Sequence, residues 1–315
     1  MDRRLKVGVF GVGSLGQHHA RIYAAIPRAE LVGVYDVNRQ RAAEIASKNG
    51  TRAFESAEEL ACAIEAASVA TPTDRHFETG MFLLGRGVHV MMEKPIASTT
   101  DEAEKLVAEA RRMNAILQVG HVERFNPVMK FLEEHLARPR FIEAIRIAPY
   151  PPPREGAAPR GTEVSVVLDM MIHDLDIILH LVRSPSREIH AVGVPVLSPS
   201  EDIANVRLVF ENGCVANVTA SRISRERLRK IRVFQEDTYV SLDYMNQTGQ
   251  LLRRTAGGIE AEPIPVEKEE PLAAELSSFV DCVLGHRSPV VDGVHGFRAL
   301  KLAVDILRHI RETPS

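Results

Sequence analysis

Four side chains that can carry protons interrupt a strongly apolar segment, Val164 to Val182, at regular intervals. They are Asp169, His173, Asp176 and His180, and the steps between them are four, three and four residues. In a helix this spacing places all four on one face. Buried carboxylates and imidazoles are unfavourable unless they have partners or a chemical task. The segment therefore predicts a helix whose polar stripe faces either a cleft or a polar network.

A second chemically informative group follows the first apolar segment of the chain. Leu5 to Phe10 is predicted to be a buried strand, and the turn directly after it consists of Gly11, Val12, Gly13, Ser14, Leu15 and Gly16. A helical pattern follows to Ile26, and a second strand ends at Asp36. Strand, glycine turn, helix, strand and acidic residue occur here in the order that dinucleotide binding requires.

Each part of this turn has a separate physical role. The first glycine permits a tight turn, the second lets the backbone approach a pyrophosphate, and the third lets helix and strand pack closely. The helix N-terminus offers N–H groups to the phosphates. Asp36 is expected to accept hydrogen bonds from both ribose hydroxyls and to repel a 2′-phosphate, which favours NAD over NADP. Arg39 and Arg41 are near enough in sequence to keep NADP as the second choice.

Alternating strands and helices continue to Val119 and predict a doubly wound parallel sheet of the Rossmann type, with helices on both faces. Ligands bind beyond the carboxyl ends of such strands. The residues predicted there are Thr71, Pro72, His76, Glu93 and Lys94 for the cofactor, and His121, Glu123, Arg124 and Asn126 for the substrate. Lys94 directly follows a buried strand and can donate to a substrate oxygen. A surface lysine in a turn is the alternative that position alone leaves open.

The second half of the chain predicts an α+β domain with a large, mainly antiparallel open sheet. Alternating strands begin at Phe141, and Glu211-Asn212-Gly213 is a strong hairpin signal. We expect the segment Val164 to Val182 to cover one face of this sheet. The other face is expected to form an oligomer surface, in a homodimer or a homotetramer.

Three arginines in this half are candidates for binding an anionic group of the substrate. Arg154 and Arg160 lie in the long connection 149–162, which predicts a lid, although a solvated connector is the alternative. Arg222 begins a basic run for which diphosphate binding competes with a solvated strand edge. Because no aromatic residues are interleaved with this run, it does not indicate nucleic acid.

The 315-residue length suits two domains, expected at 1–122 and 123–315, with amphipathic helices in 271–312 packing back toward the first. A net charge of -3 gives no reason to expect nucleic acid or an anionic membrane as a partner. No apolar run is long enough for a membrane span. The three cysteines lack a CxxC pair, so neither a disulfide framework nor a cysteine zinc site is expected, and a cytoplasmic location fits best.

Five motifs taken together resemble the Gfo/Idh/MocA oxidoreductase family. They are GVGSLG, Asp36, the Thr71-Pro72-Thr73 turn, the Glu93-Lys94-Pro95 motif, and the DxxxH motif of Asp169 and His173. The resemblance covers essentially the whole chain and implies that Lys94, Asp169 and His173 act at the carbon whose hydride goes to nicotinamide.

Two longer stretches narrow the resemblance. VGHVERFNPV at 119–128 and LDMMIHDLD at 168–176 are similar to the branch that oxidises the 3-hydroxyl of UDP-linked N-acetylglucosamine or its uronic acid. Met171 and Ile172 stand where the inositol-type pattern has a glycine before the histidine, and no Gly-Gly precedes Asp169. These departures argue against free cyclitols.

The leading hypothesis is an NAD-dependent dehydrogenase of a nucleotide-linked amino sugar. His173 is expected to act as the general base, Lys94 to polarise the same oxygen, and Asp169 to orient His173 or to bind a neighbouring hydroxyl. A dehydrogenase of a free sugar or cyclitol is the first alternative, and a catalytically silent nucleotide-binding sensor is the second. A metal site is not expected, because cofactor chemistry makes it unnecessary.

Overall fold

A parallel six-stranded sheet forms the centre of the first half of the chain, and the computed structural model describes residues 3–152, 159 and 161–312. The strands are β1 (Leu5–Phe10), β2 (Ala29–Tyr35), β3 (Arg52–Ala53), β4 (Ala66–Val69), β5 (His89–Met92) and β6 (Leu117–Val119). The helices are α1 (Gly16–Ala25), α2 (Arg39–Lys48), α3 (Ala57–Ala63), α4 (His76–Leu84) and α5 (Thr100–Arg112). The strand order β3-β2-β1-β4-β5-β6 reverses between β1 and β4, which opens a crevice at their carboxyl ends.

Local signals determine where these helices begin. The Asn38 side chain caps α2 by accepting from Arg41 N. At α5, Thr99 and Glu102 form a capping box in which each side chain accepts from the other residue's backbone N–H. The alternating strands and helices predicted for this half are present. The two-residue β3 was not predicted, because it is too short to show alternation.

The second half contains an eight-stranded sheet in the order β14-β13-β12-β11-β7-β10-β9-β8. Its strands are β7 (Phe141–Ile147), β8 (Ser186–Val194), β9 (Ile203–Phe210), β10 (Val215–Ser221), β11 (Leu228–Phe234), β12 (Thr238–Asp243), β13 (Thr248–Thr255) and β14 (Gly258–Pro263). Neighbouring strands are antiparallel except β7 and β10, which are parallel. The predicted fold class is therefore confirmed in both halves. The predicted hairpin is also present, between β9 and β10, with Gly213 at a φ of 83°.

Two helices accompany this sheet, α6 (Pro127–His135) and α7 (Ile172–Val182). Leu175 and Ile178 of α7 are fully buried in the same hydrophobic cluster as Val206 and Val218 of the sheet. The helix predicted from the apolar segment thus covers one face, as expected. Its first part differs from the prediction, because Val167–Met171 forms a π-helix that continues into α7.

The C-terminal part of the chain adds α8 (Pro271–Gly285) and α9 (Gly293–Glu312). By internal contacts the chain divides into two units, Met1–Val122 with Glu270–Phe297, and Glu123–Glu269 with Arg298–Ser315. The sequence predicts that both helices pack toward the first domain, whereas the division assigns only α8 and the start of α9 to the first unit. The remainder of α9 contributes Leu302 and Ile306 to the core of the second unit. Among the described residues, no helix combines the length and the apolar character needed to cross a membrane.

Candidate active site

The three glycines of the turn after β1 differ in the space around them. Gly11 has a φ of 81°, and a Cβ added to it would lie 2.8 Å from Thr71 N. A Cβ on Gly16 would lie 1.8 Å from Gly11 O, whereas a Cβ on Gly13 would meet no described atom within 4 Å. Packing therefore requires Gly11 and Gly16 to be glycine, while Gly13 leaves a free approach for a ligand.

Helix α1 begins directly behind this turn and is suited to an anion at its N-terminus. In the described part of the chain its N-cap residue, Leu15, makes no side-chain cap hydrogen bond, and its first turn contains no acidic residue. Ser14 is exposed beside it. The positive end of the helix dipole favours a bound phosphate here. The turn from Gly11 to Gly16 therefore fits the pyrophosphate of a dinucleotide.

Asp36 lies at the end of β2 and is tied to the glycine turn. Its Oδ2 accepts from Val12 N at 2.8 Å and its Oδ1 accepts from Asn38 N at 2.8 Å. Each carboxylate oxygen has a further lone pair, so the group retains the capacity to accept from ribose hydroxyls. The position of Asp36 beside the turn agrees with the preference for NAD.

Of the two arginines that left NADP as the second choice, Arg41 is hydrogen-bonded to other groups of the protein. It donates to Val12 O at 3.0 Å, and to Glu44 and Gln17 at 2.8 Å each. Its guanidinium thus supports the glycine turn and is not presented to a 2′-phosphate. Arg39, at the start of α2, is exposed.

The segments after β4 and β5 lie on the other side of the crevice and are joined by His76. This histidine is only 1% exposed, and its Nε2 lies 2.9 Å from Thr71 O while its Nδ1 lies 2.8 Å from Pro95 O. Both ring nitrogens therefore contact backbone carbonyl groups. The prediction that His76 binds the cofactor directly does not agree with these contacts. Pro72 is exposed, and the buried Thr71 Oγ1 has no hydrogen-bond partner among the described residues.

Glu93 is a buried carboxylate beside the half-buried Lys94. Glu93 Oε1 lies 2.9 Å from His19 Nε2, and Glu93 Oε2 accepts from Lys94 N at 3.2 Å. Burial raises the pKa of Glu93, but the hydrogen bond from His19 and the nearby charge of Lys94 outweigh it and bring the pKa below its ordinary value. Glu93 therefore carries a negative charge in the core of the first unit. His121, after β6, is also buried there, at 1% exposure.

In the second unit, Asp169 lies in the π-helix and His173 in the first turn of α7. Both side chains are partly exposed. Gly161 has a φ of 82°, and a Cβ added to it would lie 2.4 Å from Asp169 Oδ2. Only a glycine leaves room for the Asp169 carboxylate at this point. Lys94 belongs to the first unit, and Asp169 and His173 belong to the second.

Three residues predicted to bind substrate are buried in contacts with the protein. Glu123 accepts from Arg146 at 3.0 Å, and Arg124 Nη1 lies 3.6 Å from Asp176 Oδ2. Asn126 caps α6 and also donates to Tyr244 O at 3.0 Å. Their exposures are 5%, 6% and 3%. The described contacts of Glu123, Arg124 and Asn126 thus serve the second unit's own core rather than an open binding surface.

Glu123 belongs to a buried charged cluster with Arg146 and a second carboxylate, Asp174. Arg146 donates to Asp174 at 2.7 and 3.1 Å and to Glu123 at 3.0 Å. The pKa of Asp174 is raised by burial despite this pairing. The pKa of Glu123 is lowered, because the charges of Arg146 and Arg229 outweigh its burial. Asp174 is therefore the member of the cluster that takes up a proton more readily.

Arg222 does not have the surroundings of a diphosphate ligand. Its Nε donates to Asp202 at 2.7 Å, its Nη1 to Gly161 O and Val164 O, and its Nη2 to Ser200 and Glu201 O. The residue is 2% exposed. A guanidinium has five N–H donors, and these five contacts engage each of its nitrogens. The prediction of diphosphate binding by Arg222 is therefore not supported. Arg154 and Arg160 lie outside the described residues.

Comparison with known proteins decides the family. Residues 5–121 match the Gfo/Idh/MocA oxidoreductase family, NAD-binding Rossmann fold, and residues 133–240 match the C-terminal domain of the same family. UDP-N-acetylglucosamine 3-dehydrogenase of Acidithiobacillus ferrooxidans is 38% identical over 309 residues, which cover 96% of each chain. The chain belongs to the Gfo/Idh/MocA family. Its first unit is accordingly an NAD-binding domain, and the protein is an oxidoreductase.

Solved structures of similar proteins agree with this fold. The structure of the Acidithiobacillus ferrooxidans enzyme has a TM-score of 0.92 at 37% identity and covers 98% of each chain. Myo-inositol 2-dehydrogenase of Thermotoga maritima is 26% identical over 99% of this chain and 98% of its own. A levoglucosan dehydrogenase in complex with NADH and levoglucosan, at 19% identity and a TM-score of 0.88, shows the fold alone.

The sequence did not indicate several residues that the structure places near the family motifs. His19, Ser68 and Tyr23 form the buried surroundings of Glu93. The only signal for His19 is its position on the helix after the glycine turn, and the neighbouring, exposed His18 has an equal claim. In the second unit, Arg146 gave no signal, because it lies at an alternating position of an ordinary strand. No group of three or more potential metal ligands occurs in the part of the chain that the structure describes.

Proposed function

We propose that this protein is an NAD-dependent dehydrogenase that oxidises the C3 hydroxyl of a nucleotide-linked amino sugar of the UDP-N-acetylglucosamine type. The observation that carries the proposal is the 38% identity, over 96% of both chains, to a UDP-N-acetylglucosamine 3-dehydrogenase. The intact set of Lys94, Asp169 and His173 supports it.

Lys94, Asp169 and His173 have different roles in the oxidation of the alcohol. His173 takes the proton of the C3 hydroxyl, and Lys94 donates a hydrogen bond to the same oxygen as it becomes a ketone. Asp169 orients His173 or binds a neighbouring hydroxyl. NAD supplies the nicotinamide C4 that accepts the hydride, so the products are a 3-keto sugar, NADH and a proton.

The first unit carries the residues that would hold the cofactor. Backbone N–H groups of the turn from Gly11 to Gly16 and the N-terminus of α1 bind the pyrophosphate, and Asp36 binds the adenosine ribose. Thr71, whose hydroxyl has no hydrogen-bond partner among the described residues, and Lys94 lie at the facing strand ends. Three residues remain candidates for direct contact with the substrate: His121, Arg154 and Arg160. We expect the buried residues Glu123, Arg124 and Asn126 to act indirectly, by supporting the surface to which the substrate binds.

The decisive experiment compares three polyols under identical conditions. Purified protein is incubated with NAD and either UDP-N-acetylglucosamine, its uronic acid or myo-inositol, and NADH formation is followed by fluorescence. We expect NADH with one of the two nucleotide sugars and a lower rate when NADP replaces NAD. If NADH forms with myo-inositol and with neither nucleotide sugar, the protein is a dehydrogenase of a free cyclitol. The 26% identity to myo-inositol 2-dehydrogenase is the reason to include this substrate. Binding of NADH without turnover of any polyol would support the sensor alternative.

We further propose a homodimer or homotetramer that forms through the open face of the eight-stranded sheet, in the cytoplasm. The open face carries three aromatic rings. The ring centroids of Phe141 and Phe234 lie 5.6 Å apart, and those of Phe234 and Tyr239 lie 4.4 Å apart.

All three cysteines are free thiols, which agrees with a reducing compartment.

A further inference from the structure

Each of the two neighbours of Lys94 lies within hydrogen-bond distance of a buried histidine. On one side, Glu93 Oε1 lies 2.9 Å from Nε2 of His19, which belongs to α1. On the other side, the Pro95 carbonyl oxygen lies 2.8 Å from Nδ1 of His76, the first residue of α4. The two histidines are 0% and 1% exposed. All five residues belong to the first unit.

His19 is itself held from behind by two hydroxyl groups. Its Nδ1 lies 3.0 Å from Ser68 Oγ, and Ser68 Oγ lies 2.9 Å from the Tyr23 hydroxyl. When Tyr23 donates to Ser68 and Ser68 donates to Nδ1, the imidazole has its proton on Nε2 and donates it to Glu93. Burial raises the pKa of Tyr23, which keeps its hydroxyl protonated. The hydrogen bonds from Tyr23 through Ser68 thus orient His19 toward Glu93.

Glu93 transmits this orientation to the backbone of Lys94. Its Oε2 accepts from Lys94 N at 3.2 Å, while its own N–H donates to Val69 O at 3.0 Å. Gly120 leaves room for this carboxylate after β6, because a Cβ there would lie 3.1 Å from Oε2. Glu93 is therefore held by a histidine and by the neighbouring strand β4.

His76 performs a comparable task for the segment after Lys94. It connects Pro95 O with Thr71 O, which lies at the exit of the neighbouring strand. Burial lowers the pKa of His76 although both carbonyl groups act in the opposite direction. A neutral imidazole donates through one nitrogen only. His76 therefore donates a hydrogen bond either to Pro95 O or to Thr71 O, and not to both.

We propose that His19 and His76 are positioning residues for Lys94, which fix the backbone on its two sides without touching substrate or cofactor. The inference rests on the proposed role of Lys94 in the oxidation. A lysine side chain is long and flexible, so the place from which it reaches a substrate oxygen depends on how firmly its backbone is held. Misplacement of a reacting group by about 1 Å can lower the rate by about two orders of magnitude.

The chain offers a matched control at the opposite end of the same strand. His89 begins β5, is half-buried, and accepts a hydrogen bond from Ile116 N at 2.9 Å. Burial lowers its pKa as it does for His76. Replacement of His89 therefore removes a half-buried imidazole and its backbone hydrogen bond from β5 without altering the neighbours of Lys94.

The first experiment compares His19→Leu, His19→Gln and His89→Leu by their kcat, KM and NAD dissociation constant. We expect His19→Leu to lower kcat by about 10- to 100-fold with little change in NAD affinity. His19→Gln places an amide N–H where Nε2 lies and should recover most of the loss, while His89→Leu should retain kcat. Equal kcat values for His19→Leu and His89→Leu would overturn the role of His19.

The second experiment separates the two contacts of His76. In His76→Asn the amide group replaces Nδ1, which faces Pro95, and in His76→Gln it replaces Nε2, which faces Thr71. We expect His76→Asn to keep a higher kcat than His76→Gln. The reverse order, or equal values, would show that the Pro95 contact does not position Lys94.

A third measurement does not depend on activity or on a bound cofactor. Lys94 N–H donates to Glu93, so hydrogen exchange of the peptide that contains 91–97 should accelerate in His19→Leu and remain unchanged in His89→Leu. Exchange that accelerates equally throughout the first unit would indicate general destabilisation and would overturn the inference. His19→Leu combined with Glu93→Gln removes the uncompensated buried charge, so the double variant should regain stability but not kcat. Recovery of both would show a purely structural role.

Lys94→Ala distinguishes this inference from the proposed function. If Lys94→Ala retains turnover, the proposed role of Lys94 fails, together with the positioning role built on it. If Lys94→Ala is inactive while His19→Leu and His76→Gln are fully active, only the inference fails.

Discussion

Lys94 and His173 are the two residues on which the proposed reaction depends most directly. Lys94 follows a strand whose last three residues, Val90 to Met92, are fully buried, and its backbone N–H is held by the Glu93 carboxylate. His173 lies one residue after the start of α7 and is partly exposed, beside the fully buried Ile172. A rigid backbone with a partly exposed side chain is the arrangement that a general acid or base requires.

Replacement of either residue should affect chemistry more than cofactor binding. Removing a general acid or base typically costs about two to four orders of magnitude in turnover, so we expect that loss in Lys94→Ala and in His173→Ala. NAD should still bind, which fluorescence titration with NADH will measure. His180→Ala is the control, because His180 lies two turns further along α7, where it contacts Glu133 at 2.7 Å. Unchanged turnover in both test variants would contradict the assigned roles.

Residue types and spacing indicated the glycine turn and Asp36, because the turn is contiguous and the acidic residue follows it at a fixed spacing. For Lys94 they left a surface lysine in a turn open, and its expected role came from the resemblance to the family. They did not indicate the contacts of Arg222. A basic residue at a strand end looks the same in sequence whether it meets a phosphate or a carboxylate. Its partner Asp202 lies 20 positions away in sequence, and its other acceptors include Gly161 O and Val164 O. Such contacts arise only when the fold brings distant segments together.

At the scale of elements, the Arg222–Asp202 pair joins three segments of the second unit. Asp202 accepts from the backbone N–H groups of the turn after β8, at Val196, Leu197 and Ser198. Arg222, directly after β10, donates to the segment that precedes the π-helix. Because Gly161 in that segment packs against the Asp169 carboxylate, the pair supports the element that carries Asp169.

Arg222→Met should destabilise the protein strongly. The substitution leaves the fully buried Asp202 without its guanidinium, and removal of one partner of a buried ion pair costs about 3 to 5 kcal/mol. Thermal or urea unfolding will measure the loss, with the exposed Arg227→Met as the control from the same basic run. A loss no larger than that of Arg227→Met would contradict the structural role.

The same pair gives a defined pH dependence. Burial raises the pKa of Asp202, but hydrogen bonds from Ser198 and Arg222 outweigh it and lower the pKa well below its ordinary value. The folded state thus gains stability from Asp202 above the unfolded-state pKa of about 3.9 and loses it as the pH falls toward the lower folded-state pKa. The stability difference between the wild type and Arg222→Met should therefore shrink as the pH falls below about 4.

Sequence periodicity predicted most elements, and its failures have physical reasons. β14 was missed because all six of its residues are exposed, so neither face shows the apolar alternation on which a strand prediction depends. The π-helix was missed because a change from i,i+4 to i,i+5 hydrogen bonding leaves no trace in the order of polar and apolar residues. β8 begins at Ser186, three residues before Ile189, where the sequence predicts the start of this strand.

At the scale of the whole molecule, the open face of the second sheet is the surface on which the proposed assembly depends. Its partly buried hydrophobic residues include Phe141 and Ile145 of β7, which alternate with the fully buried Ile142 and Ala144 of the covered face. A broad, partly apolar sheet face is typical of the interface of a stable homo-oligomer.

Ile145→Glu should disrupt this assembly. A carboxylate near the middle of a buried sheet interface is unfavourable, since it loses its water without gaining a partner. We expect light scattering coupled to gel filtration to give a dimer or tetramer for the wild type and a monomer for the variant. Val290→Glu, at an exposed hydrophobic residue of the first unit, is the control. A wild-type monomer, or a variant with the wild-type mass, would contradict the proposed interface.

The π-helix at Val167–Met171 gives the segment that carries Asp169 an unusual sensitivity to length. A π-turn is equivalent to one residue inserted into an α-helix. Deletion of a single residue here would restore a regular helix and rotate every preceding side chain by about 100° around the axis. The apolar face of α7 would remain on the sheet, while Asp169 would leave the position beside Gly161. Among related chains this segment should therefore accept exchanges of side chains more readily than insertions or deletions.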